Sequence, residues 1–204
     1  RVAVIVAGTL DRFMFDSSLE HLIRPMARDG ISVDYYASLT TAHAKAYRSG
    51  SGYADHLQPD PTLPESRDKD EIEEYIRENV VERRFASIGA LEIKESIDID
   101  SEPMLKARRE RALVDNPDED PDLRFPLFDV RSAEIGHRTA NANRNLLRMH
   151  LAIQNLWESA LKLEAEEGFK YDYVMFLRDD ALWLDDVDFA ELIWEDDDVF
   201  IPLC

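Results

Sequence analysis

The sequence predicts an α/β domain: a mostly parallel sheet with helices on both faces, interrupted by an acidic insertion. Three observations carry that prediction. Val2-Ala3-Val4-Ile5-Val6-Ala7 is a short, unbroken, largely β-branched run closed by Gly8, as expected of a strand buried on both faces of a parallel sheet. A helical stretch and a second apolar run follow, giving a strand-helix-strand unit whose crossover should be right-handed. Near the other end, the longest helical pattern of the chain leads past Gly168 into the aromatic run Tyr171-Asp172-Tyr173-Val174-Met175-Phe176-Leu177.

Taken in order, the first run is strand one. Asp16 or Ser17 is then placed to cap a helix running to Arg28, with Leu19, Leu22, Ile23 and Met26 at helical spacing and Gly30 beyond its end. Pro25 conflicts with a regular helix and predicts a kink. Ile31 to Leu39, rich in Val, Tyr and Ile, reads as the second strand. Thr40 to Asp68 is polar and collects Gly50, Gly52, Pro59, Pro61 and Pro64, the composition of a surface loop. A helix over Asp70 to Phe85 and a strand over Ala90 to Ile97 follow. Asp98 to Phe128 is charged and proline-bearing, an excursion outside the core.

The helix from about Ala140 to Glu167 is predicted by Leu146, Met149, Ile153, Leu156, Ala160 and Leu163, which recur at intervals of three and four. The aromatic run is the next strand, followed by a loop and short helix over Asp185 to Asp198 and a last strand, Val199-Phe200-Ile201-Pro202. The 204 residues are expected to form one domain with loop-rich excursions at about 40–68 and 98–128. Both ends fall beside strand-like runs, so the chain reads as an excerpt of something longer, from which a signal or anchor could be missing.

Composition narrows the partners. A hydrophobic fraction of 45% with nine Phe, seven Tyr and three Trp supplies a packed interior. The formal charge of -19 repels a phosphate backbone, so nucleic acid is not expected. No apolar run approaches the roughly 20 residues of a membrane span. The single cysteine, Cys204, excludes an internal disulfide and leaves the compartment open.

Three features point to chemistry. The first is Leu177-Arg178-Asp179-Asp180, an acidic pair at the carboxyl end of an apolar strand, followed by apolar Ala181-Leu182-Trp183-Leu184. Ligands of open α/β sheets bind at such strand ends. Carboxylates there suit a hard cation such as Mg²⁺ or Mn²⁺, which needs only one or two protein oxygens when phosphate and water complete its shell. That arrangement neutralises a departing diphosphate. If the strand continues through Asp180, alternation puts Arg178 and Asp180 on one face. Trp183 either walls the site or belongs to the core.

The second feature is a local excess of basic residues, Arg131, His137, Arg138, Arg144 and Arg148, in a chain that is otherwise acidic. Arginine grips diphosphate bidentately, and the start of the long helix offers unpaired N–H groups, so Asn141, Arg144 and Asn145 are candidate contacts. Singly, each of these arginines could equally pair with a surface carboxylate. The third is the turn Gly8-Thr9-Leu10-Asp11-Arg12, where a nucleoside could cross the sheet edge beside Gly8, Thr9 and Arg12. There is no dinucleotide fingerprint, phosphate loop, zinc helix motif or nucleophile elbow. Asp196, Asp197 and Asp198 are candidates for a base.

Residues 2–39 and 141–202, above all Tyr171-Asp172-Tyr173-Val174-Met175-Phe176-Leu177-Arg178-Asp179-Asp180-Ala181-Leu182-Trp183, resemble a glycosyltransferase-like family of plants and algae. The resemblance implies a GT-A, Rossmann-like nucleotide-sugar fold, in which an Asp-x-Asp motif at a strand end binds metal and diphosphate. In that pattern arginine, a variable residue and aspartate are followed by an aromatic. It maps onto Arg178, Asp179, Asp180 and Trp183, making Asp180 the principal metal ligand and Asp179 the second choice, with Arg178 standing where the strict motif has aspartate. The implied activity is transfer of a sugar from a nucleoside-diphosphate donor to a glycan, protein or small-molecule acceptor with Mn²⁺ or Mg²⁺. The implied location is the Golgi or endoplasmic reticulum lumen if an anchor precedes the chain, and the cytoplasm otherwise. The rival expectations are a non-catalytic binding or scaffold module and a carboxylate-metal phosphohydrolase.

Overall fold

The computed structural model describes residues 1–10, 13–41, 69–82, 85–95, 103, 106, 137–179 and 181–189, with the backbone alone at 69, 82 and 137–146. Strands β1 (Val2–Thr9), β2 (Val33–Thr40), β3 (Ser87–Lys94) and β4 (Tyr173–Arg178) form one sheet in the order β3-β2-β1-β4, with every pairing parallel. Helix α1 is continuous through Phe15–Ser18, Leu19–Ile23 and Arg24–Arg28, its middle segment wound as a π-helix. Helix α2 runs Lys69–Arg77 and closes in a π segment, Glu78–Glu82, and α3 spans His137–Glu167. The predicted α/β class with a parallel sheet is what folds. The last expected strand, Val199–Pro202, and nearly all of the two loop-rich excursions lie outside the described residues.

Strand alternation divides the core. Val2, Val4 and Val6 of β1 and Val33, Tyr35, Ala37 and Leu39 of β2 pack with α1 and α2 on one face. Ala3, Ile5 and Tyr36 pack with Leu156 and Ala160 of α3 on the other. Both central strands are therefore buried on two sides, which is why their runs are apolar without interruption. Each fully buried Val or Ile contributes about 1.5–3 kcal/mol. Among the described residues no helix is long and apolar enough to cross a membrane.

The order β3-β2-β1-β4 means that the chain moves outward from β1 to β3 and then returns to the opposite side of β1. The carboxyl ends of strands that flank such a reversal are where open α/β sheets bind ligands.

Helix α1 corrects two expectations. Neither Asp16 nor Ser17 caps it: the helix starts at Phe15 with Met14 at the cap position and no side-chain cap bond. Buried Phe13 and Phe15, with ring centroids 5.7 Å apart, anchor the entry. The two expected caps reach elsewhere, Asp16 accepting from the Tyr75 hydroxyl at 3.0 Å and the Ser17 hydroxyl meeting the Trp183 backbone. The conflict at Pro25 resolves as a π segment, with the Arg24 N–H donating to the Leu19 carbonyl. Proline has no N–H for the His21 carbonyl four residues back, and the Val187 N–H supplies that bond at 2.9 Å. The ends of α1 and α3 are as expected, at Gly30 and Gly168 with φ of 79° and 73°.

Strand β3 begins at Ser87, three residues before the expected Ala90. The Ser87 hydroxyl donates to Asp34, pinning the strand start, and the Tyr36 ring lies directly over Gly89, where a Cβ would fall within 2.6 Å of the Tyr36 hydroxyl oxygen. Asp34, only 1% exposed, is the hub of this end of the sheet. It accepts from Arg1 Nε at 2.5 Å, from the Tyr171 hydroxyl at 2.8 Å and from Ser87. Burial opposes ionisation of Asp34, but these donors outweigh it and hold its carboxyl below the ordinary value. Arg1 also bonds Glu167 at the end of α3 at 2.8 Å, so the sheet is clasped at its amino edge, opposite the carboxyl ends of the strands.

Candidate functional site

The candidate site lies at the carboxyl ends of β1 and β4. Parallel register pairs Val6 with Leu177 and Ala7 with Arg178, so Gly8 and Thr9 lie beside the residues just past β4. There the strand stops: Arg178 is its last residue and Asp179 is in a turn. The alternation that grouped Arg178 with Asp180 therefore does not extend past Arg178, and Asp180 itself lies outside the described residues, as does Arg12.

Asp179 is 5% exposed and ties the two strands together. Its Oδ2 accepts from the Thr9 N–H at 2.9 Å and from the Thr9 hydroxyl at 3.2 Å. Its carbonyl accepts from the Met14 N–H at 2.9 Å, which links β4 to the start of α1. The side chain lies so close over Gly8 that a Cβ there would come within 2.6 Å of Asp179 Oδ1. Gly8 thus serves a close approach, not a phosphate loop, and it is the Asp179 carboxylate that approaches.

Arg178 is exposed and, in register with Ala7, emerges on the face covered by α3. Helix α3 runs antiparallel to the strands, because its last residue, Glu167, meets Arg1 at the amino edge. Leu156 packs at the level of Ala3 and Ile5. At 1.5 Å per residue Arg148 stands about 12 Å nearer the carboxyl ends of the strands, roughly the rise from Ile5 to Thr9. The helical backbone at Asn141, Arg144 and Asn145 extends about one to two turns further, past the strand ends; their side chains are outside the described residues. The geometry therefore brings Arg148 and Arg178 to the same face at the same end of the sheet, alongside the predicted helix start.

Trp183 packs with the α1-side core cluster, together with Val187 and Phe189. Its N–H donates to the Ser17 hydroxyl at 2.7 Å, and that hydroxyl donates back to the Trp183 carbonyl at 3.0 Å. The segment after the acidic pair is thus fastened to α1. Ser17 reads in the sequence only as a cap; Pro25, which leaves the His21 carbonyl without its usual donor, is a signal for the neighbouring tie from Val187 and not for this one.

Among the described residues no group of three or more His, Cys, Asp or Glu side chains is placed to hold a metal ion. A cation at this end would have the Asp179 carboxylate, already engaged by Thr9, and whatever residue 180 and bound phosphate provide. Comparisons with protein-family models, with curated proteins and with solved structures each found no match to this chain.

Proposed function

We propose that the chain is the nucleotide-binding core of a GT-A-like, metal-dependent glycosyltransferase, taking a nucleoside diphosphate-sugar at the carboxyl ends of β1 and β4. One observation carries the reading: the ends of β1 and β4 meet where the strand order reverses, with Gly8 and Thr9 tied to Asp179 beside the exposed Arg178. Open α/β sheets bind ligands at that position. In this reading Asp180, with Asp179 second, holds Mn²⁺ or Mg²⁺ on the diphosphate. Arg178 and Arg144 neutralise its remaining charge, and the Gly8 to Arg12 turn receives the nucleoside.

Calorimetric titration of UDP and GDP, with and without Mn²⁺, into wild type and Asp180→Ala tests it. Metal-dependent binding that weakens at least tenfold in the variant is expected. A wild type that binds neither nucleotide in the presence of metal would end the proposal. Engagement of the Asp179 carboxylate by Thr9 favours one alternative, a module that binds the nucleotide-sugar without turning it over. Release of the nucleoside diphosphate from UDP-sugars by the wild type would exclude that alternative, and phosphate release from UDP alone would indicate a phosphohydrolase.

A further inference from the structure

We propose that residues 181–189 form a strap whose docking on α1 depends on Pro25, and that this strap holds the acidic turn after β4 in position. Pro25 and Ser17 are then positioning residues for that turn. The functional meaning of the turn rests on the proposed nucleotide site, but the strap is argued from contacts alone.

The strap has three points of attachment. Both backbone polar groups of Trp183 engage the Ser17 hydroxyl, at 2.7 and 3.0 Å. The Val187 N–H donates to the His21 carbonyl at 2.9 Å. Asp186 lies between His21 Nδ1 at 3.1 Å and Arg28 Nη1 at 3.3 Å. Beneath these, Trp183, Val187 and Phe189 pack against the α1-side core. The turn itself is held by the Met14 N–H on the Asp179 carbonyl and by the Ala181 N–H on the Arg178 carbonyl at 3.3 Å.

The middle attachment exists because of the proline. In an uninterrupted helix the N–H of residue 25 would occupy the His21 carbonyl; Pro25 has none, and the π segment before it leaves that oxygen to Val187. A residue unfavourable inside a helix here creates the acceptor that a loop more than 160 positions away uses.

Amide hydrogen exchange of Pro25→Ala tests the strap without any ligand. Alanine restores an N–H that competes for the His21 carbonyl. Val187, Trp183 and Ala181 should therefore exchange about fivefold faster, the factor for one net hydrogen bond, while β1 and β2 amides keep their protection. Asp186→Asn, which leaves the helix intact, should speed the same amides and decides the matter if Pro25→Ala does not fold. Unchanged exchange at Val187 in both variants overturns the strap. Faster exchange at Val187 and Trp183 with Ala181 and Met14 fully protected overturns its hold on the turn. Failure of the wild type to bind nucleotide would sink the proposed function and leave the exchange result standing.

Discussion

Gly8→Ala should destabilise the protein by about 2–4 kcal/mol, and it should do so through Asp179. A methyl group on Gly8 would stand within 2.6 Å of Asp179 Oδ1 and nearer still to that side chain's carbons, well inside van der Waals contact. Gly8 is held in the ladder by its pairing with Leu39, and Asp179 lies just past the end of β4, so it is the Asp179 side chain, from its Cβ outward, that must move. Moving it breaks the two Thr9 hydrogen bonds, at 2.9 and 3.2 Å. A hydrogen bond to a charged group contributes about 1.5–3 kcal/mol, and two donors sharing one oxygen give somewhat less than twice that.

The stated cause is separable from a general intolerance of side chains at position 8 by a double-mutant cycle. Asp179→Gly alone should cost about 3–4 kcal/mol, since it removes the same two bonds and adds the backbone freedom of glycine. In that background both the Cβ and the carboxylate of residue 179 are gone, so Gly8→Ala should cost less than about 0.5 kcal/mol, because alanine also narrows the unfolded ensemble. Urea unfolding of the four proteins, followed by circular dichroism and compared at constant m, reads the cycle. A Gly8→Ala protein indistinguishable from wild type, or one equally impaired in both backgrounds, would refute the reasoning.

Three further outcomes follow from buried groups. Tyr35 is fully buried and its hydroxyl has no hydrogen-bond partner among the described residues; Tyr35→Phe should stabilise by about 1 kcal/mol in the same urea assay, and a loss of stability would show a hidden partner. Gly89→Ala should destabilise by about 1–3 kcal/mol, because the added methyl meets the Tyr36 ring, whose hydroxyl is bonded to that of Tyr171 at 2.8 Å. Asp34→Asn should cost about 2 kcal/mol at neutral pH by disrupting a buried charged network. Its folded carboxyl titrates below the unfolded one, so its contribution is complete above the unfolded value near 4 and disappears as pH falls through the folded value. The stability gap between wild type and Asp34→Asn should therefore narrow on acidification below about pH 4, and a gap that widens would contradict the assignment.

The parallel sheet was legible because its cause is local. Val2 to Ala7 and Val33 to Leu39 are apolar without alternation since both faces of each strand are covered, and that pattern is written in consecutive residues. Tyr35 and Tyr36 mark where such reading stops. Alternation sends them to opposite faces, but nothing adjacent to them tells that one hydroxyl reaches Tyr171 while the other has no partner among the described residues. The tie between Thr9 and Asp179 spans 170 positions and arises only once topology has set β4 beside β1.

The same reasoning sharpens the case for the acidic pair. Asp180 ranked above Asp179 partly on the assumption that the pleat continues through both. The fold ends β4 at Arg178 because the Asp179 carboxylate turns back across Gly8 to Thr9 while its carbonyl takes the Met14 N–H. Asp179 and residues 181–189 are therefore placed by that turn and by contacts with α1, not by strand alternation. Of two neighbouring carboxylates that composition cannot distinguish, Asp179 is an internal fastening, and the role proposed for Asp180 depends on how firmly the turn is held. That dependence makes Ser17, His21 and Pro25, none of them at the strand end, part of the explanation of what the strand end can do.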